Sequence, residues 1–111
     1  MLIKLPLLAN ANNTTPGTPV QIGGSLSGCF AIRTCSSSYS AGANIDLILE
    51  RAEDVNGPWE PTAIATDTIT ADQAGVAKTT LLSDGPAIFV RARLSASPSA
   101  GDVSVNVYIE A

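Results

Sequence analysis

Val103-Ser104-Val105-Asn106-Val107-Tyr108-Ile109-Glu110 alternates apolar and polar residues without a break. Successive side chains of a β-strand point to opposite sides, so this pattern marks a strand with one face in a core. The run before it, Ile88 to Leu94, repeats the device. Ile88, Val90, Ala92 and Leu94 take one face, and Phe89, Arg91 and Arg93 the other. Ser95-Ala96-Ser97-Pro98-Ser99-Ala100-Gly101 between them is a loop by composition, and the three pieces read as a β-hairpin.

The same period recurs upstream. Ile45 to Glu53 sets Ile45, Leu47 and Leu49 against Asp46, Ile48, Glu50 and Ala52. Asp54-Val55-Asn56-Gly57-Pro58 follows with concentrated turn chemistry. Trp59 to Ile64 reads as a second hairpin arm, which Pro61 marks as an edge or a bulge. Further strands are expected at Asp67 to Thr70, Val76 to Leu82 and Gly28 to Cys35, while no stretch carries helical apolar spacing with caps. About seven short strands at such spacing indicate an all-β, antiparallel sandwich. The pattern leaves jelly-roll and immunoglobulin-like strand orders open.

The expected sandwich domain covers residues 28–111, preceded by an N-terminal strand and arm over 1–27. Met1 to Leu8 is apolar enough for a short strand, whereas Asn10 to Pro19 is Asn, Thr, Pro, Gly and Ala, too polar to order itself. Two arrangements follow: an extended arm that carries the strand to a neighbour, or a first strand paired within its own sheet. Lys4 followed by Leu5-Pro6-Leu7-Leu8 imitates a signal peptide, but the apolar stretch is short and Pro6 interrupts it. The segment is therefore expected to belong to the mature protein.

Composition narrows the function classes. The chain has 111 residues, 45% hydrophobic and 14% charged, with net charge −4. One domain fits that length, and a surface so poor in charge suits a protein packed against a partner. The basic residues form no stripe, which argues against nucleic acid and against an anionic membrane surface. No apolar run approaches the roughly 18 residues of a membrane span. Cys29 and Cys35 on a straight strand would stand roughly 20 Å apart; a disulfide needs Cα atoms within about 7 Å. They read as small core residues in a reducing compartment.

Catalytic chemistry finds little footing. There is no histidine, which removes the commonest general base and the triads built on it. Glu50, Glu53, Asp54 and Glu60 cluster near one hairpin, and carboxylate chemistry would need them to line a pocket. Asp54-Val55-Asn56-Gly57 resembles part of a calcium loop but lacks its remaining ligands. Gly23-Gly24 lacks the lysine of a phosphate loop. No catalytic residue, metal site or cofactor is expected, and the chain reads as a non-enzymatic module. Trp59 suits either an end of the core or a contact with a sugar or protein. Tyr39, in a serine-rich loop, is expected at an interface.

Leu47-Ile48-Leu49-Glu50, the Asn56-Gly57 turn, Trp59, Phe89-Val90-Arg91-Ala92-Arg93-Leu94 and Val103-Ser104-Val105-Asn106-Val107 together resemble small β-sandwich virion proteins of tailed bacteriophages. These are capsid decoration, or cement, proteins and some tail and head-fibre proteins. The resemblance covers roughly residues 45–111. Carbohydrate-binding and discoidin-like sandwiches share the turn-Trp and Val-Arg features. The resemblance implies a structural protein that binds the outer capsid surface and reinforces it, often as a trimer. Its partners would be the major capsid protein or other virion proteins, and it would be made in host cytoplasm. The expected contact residues are Leu2, Ile3, Leu5, Leu7 and Leu8 of the arm, with Tyr39, Arg91 and Arg93. The alternatives are a tail, baseplate or head-fibre component, and a carbohydrate-binding module.

Overall fold

The alternating runs form strands. The computed structural model describes residues 2–22, 28–40, 42, 44–60, 65–69, 76–80 and 88–110. Among them lie eight strands: β1 (Leu2–Ala11), β2 (Val20–Ile22), β3 (Gly28–Cys35), β4 (Ile45–Ala52), β5 (Ala65–Ile69), β6 (Val76–Thr80), β7 (Ile88–Leu94) and β8 (Val103–Glu110). One antiparallel sheet has the order β1-β8-β3-β6 and the other β2-β7-β4-β5. This is the strand order of an eight-stranded jelly roll, which settles the choice that periodicity left open.

The core lies between the sheets. Val103, Val105, Val107 and Ile109 of β8 face inward, and Leu5 and Ala31 flank Val107 from β1 and β3. Ile45, Leu47 and Leu49 of β4, Ile69 of β5, and Val90, Ala92 and Leu94 of β7 meet them from the second sheet. β3 carries a charge inward, for Arg33 is buried beside Ala31 and Cys35.

The hairpin expected from Ile88 to Glu110 does not form. β7 pairs with β2 and β4, and β8 pairs with β1 and β3, so the loop between them crosses from one sheet to the other. The apolar faces of the two strands oppose each other across the core instead of lying side by side. Trp59 and Glu60 precede the strand that pairs with β4, which begins at Ala65. The rest of the expected arm, 61–64, lies outside the described residues.

β1 pairs with β8 of its own chain, which is the second of the two arrangements open for the N-terminal segment. Register shifts after Pro6 and after Leu8 place extra residues on β1, which lets the adjacent Leu7 and Leu8 both reach the core. At the second shift Asn10 takes φ +48°, a left-handed conformation that asparagine tolerates. Its N–H donates to Ser104 Oγ at 3.0 Å. The 12–19 segment then crosses to the second sheet, where Gly17 N–H donates to Ala92 O at 2.9 Å.

Candidate interaction face

Strand register builds a charged cluster on the outer face of the β2-β7-β4-β5 sheet. Arg91 and Arg93 share one side of β7, and Glu50 of β4 stands directly opposite Arg91. Arg91 Nε and Arg93 Nε both donate to Glu50 Oε1, at 3.0 and 3.1 Å. Glu50 is nearly buried, with 12% of its side chain exposed, against 23% and 34% for the arginines. One carboxylate thus serves two guanidinium groups, leaving the trio at net charge +1. Each bond uses Nε, and both arginine side chains stay partly exposed.

Trp59 completes the cluster. The Arg91 guanidinium carbon lies 4.3 Å from the Trp59 ring centroid, a cation–π contact. The 53–60 turn holds the indole there. Asp54 O accepts the Gly57 N–H and Asp54 Oδ1 accepts the Asn56 N–H, both at 2.9 Å. Gly57 has φ +87°, and a Cβ on it would lie within 3.1 Å of Trp59 Cδ1, so the glycine lets the turn close against the indole. Trp59 is therefore half-buried on the outside of a sheet and does not belong to the core cluster.

Glu53, Asp54, Gly57, Pro58 and Glu60 of the same turn line a cleft. Glu60 pairs with Arg51. Glu50 does not line the cleft, because the two arginines engage it on the sheet face. The four carboxylates grouped by the sequence therefore divide between two settings. Among the described residues no group of three or more acidic, cysteine or histidine side chains is arranged to hold a metal.

Of the expected contact residues, Arg91 and Arg93 do share an accessible face, but their first acidic partner is Glu50 of the same chain. Ile3 is 38% exposed and Leu5 half-buried, whereas Leu7 and Leu8 are core residues at 1% and 5%. The backbone of Leu2 pairs with that of Glu110.

Tyr39 corrects the sequence reading. It is buried, not displayed on a loop. Its N–H donates to Ser36 O at 3.0 Å, and Ser40 N–H donates to Ala100 O at 3.0 Å. These bonds turn the loop back onto the end of the sandwich. Gly101, at φ +70°, packs over Tyr39 so closely that a Cβ there would fall 2.6 Å from the Tyr39 Cα. Burial raises the phenol above its ordinary value of 10.0, Cys35 adds to the rise, and Arg33 opposes it.

No protein-family model matches the chain, and no curated protein matches it.

Proposed function

We propose that this chain is a non-enzymatic structural protein of a tailed-bacteriophage virion that binds the outer capsid surface and reinforces it. The observation that carries the reading is the strand order, β1-β8-β3-β6 against β2-β7-β4-β5. The jelly roll recurs in viral capsid proteins and in lectins. Because one fold hosts many functions, the surface must choose among them. It is poor in charge, with 14% of residues charged, as suits a protein that works in an assembly. The resemblance over residues 45–111 points the same way.

The mechanism is multivalent clamping. Each copy contacts the major capsid protein, and modest interfaces combine through effective concentration. The protein acts as a homo-oligomer, with the trimer favoured by the resemblance. With Leu7 and Leu8 in the core and Leu5 packed against it, Ile3, at the free edge of the first sheet, is left as the contact portion of the N-terminal strand.

The lectin-like reading has less support, because Arg91 covers one face of Trp59, the only tryptophan, and Gly57 closes against its pyrrole edge. Quantitative mass spectrometry of virions separated into heads and tails tests the proposal. Recovery with heads, at a fixed ratio to the major capsid protein, supports it. Recovery with tails alone transfers the protein to the tail or baseplate.

A further inference from the structure

The outer face of the β2-β7-β4-β5 sheet carries two neighbouring spots of opposite charge. Arg91 and Arg93, after neutralisation by Glu50, present one net positive charge. Their Nη atoms make no hydrogen bond to another described residue, so the forked donors remain available for a second carboxylate. The 53–60 turn presents the opposite sign. Glu60 is taken by Arg51, while Glu53 and Asp54 form no ion pair among the described residues and are exposed. Trp59 joins the two spots, since it belongs to the turn and covers Arg91.

Apolar groups accompany both spots. Val55, at the tip of the acidic turn, is 45% exposed. Ile48 and Phe89 lie half-buried on the outer face, beside the arginines. Val55 follows Glu53 and Asp54 directly in the chain. It would be covered where the turn seats against a surface that offers guanidinium groups and apolar contact.

Opposite charges side by side on one face are self-complementary under a two-fold axis, because each copy then offers its turn to the other's arginines. We propose that this face pairs with a second copy of the chain, Glu53, Asp54 and Val55 of each copy docking on Arg91 and Arg93 of the other. The pairing closes at two copies. It uses neither the first sheet nor its edge, which stay free for other subunits or a shell. Complementary charge of this kind sets register and partner choice more than raw affinity.

Sedimentation velocity of the purified chain tests the pairing without any shell, so its failure leaves the capsid reading standing. Loading concentrations run from about 1 μM to about 1 mM. The wild-type chain should dimerise reversibly at low salt, and association should weaken about ten-fold or more between roughly 0.05 and 0.5 M salt. Glu53→Lys with Asp54→Asn, which keeps the Asx acceptor for Asn56, should weaken self-association about ten-fold. Arg93→Glu, which leaves Arg91 on Glu50, should do the same. An equimolar mixture of the two variants should recover dimer, because one contact is native and the other is charge-swapped. Val55→Ser, at an exposed position, should weaken association several-fold without changing the unfolding midpoint. A wild-type chain that stays monomeric would overturn the proposal, and so would a dimer indifferent to salt and to these substitutions. Failure of the mixture to recover dimer would overturn it as well.

Discussion

Gly17 lies against the backbone of Leu7 so closely that a side-chain carbon on it would overlap the Leu7 carbonyl oxygen. The same glycine donates its N–H to Ala92 O at 2.9 Å. It therefore ties β1 in one sheet to β7 in the other, where the chain first crosses the sandwich. Gly→Ala at a tolerant position stabilises by about 0.4–1 kcal/mol through the unfolded state. At Gly17 the sign reverses: Gly17→Ala should cost about 2–3 kcal/mol, since the obstructing atom is backbone. Urea denaturation of the two chains measures the difference.

Tyr39 should behave unlike most buried tyrosines. Its hydroxyl is buried without a hydrogen-bond partner among the described residues. Tyr39→Phe should thus cost nothing at neutral pH and could gain about 1 kcal/mol. The raised phenol pKa adds a pH signature. The folded chain holds this proton more tightly than the unfolded chain does. That contribution is complete below the ordinary value of 10.0 and is lost as pH rises from there through the raised one. The advantage of Tyr39→Phe over wild type should widen between about pH 9 and about pH 11, as read from urea midpoints. An advantage that shrank over this range would contradict the assigned burial.

The shared carboxylate of Glu50 can be tested through its two arginines. Glu50→Gln leaves two guanidinium groups together with no counter-charge, and should destabilise by about 1–3 kcal/mol. Added salt should reduce the loss, because the arginines are partly exposed and their repulsion is screened. Trp59 is the only tryptophan, so its emission reports on this cluster alone. Arg91→Ala should shift that emission to the red and increase its quenching by acrylamide.

Asn10 and Ser104 test the bulge in β1. The left-handed conformation at Asn10 should accept glycine at near-neutral cost, whereas Asn10→Val should cost about 1–2 kcal/mol. Ser104 Oγ also donates to Asn10 Oδ1, at 3.3 Å. Ser104→Ala removes both bonds and should cost about 0.5–1 kcal/mol in thermal or urea unfolding.

Much of the fold was legible in period-2 alternation, because one-sided burial writes itself directly into the chain. Gly28–Cys35 stands as read, and the faces taken by residues 45–52, 89–94 and 103–109 are those expected. Alternation reports which way a side chain points, not which strand lies beside it. Hence β7 and β8 read as a hairpin although they sit in different sheets. Val20–Ile22 escaped notice because three residues beside Pro19 are too few to show a period. Leu7-Leu8 looked like an apolar run of no fixed side, and only the bulge explains why both are buried. Arg91 and Arg93 were visible as one face of a strand. The role of Glu50 was not, since it depends on the register between β4 and β7. Tyr39 was misplaced because serines on either side suggested an exposed loop, whereas hydrogen bonds from Ser36 and Ser40 fold that loop inward.

The capsid reading meets its most direct test in co-sedimentation of the purified chain with phage shells that lack it, over a concentration series. The account predicts saturable binding at a fixed ratio to the major shell subunit, with bound shells more resistant to heat or chelation. Absence of binding to mature shells at any concentration would contradict it.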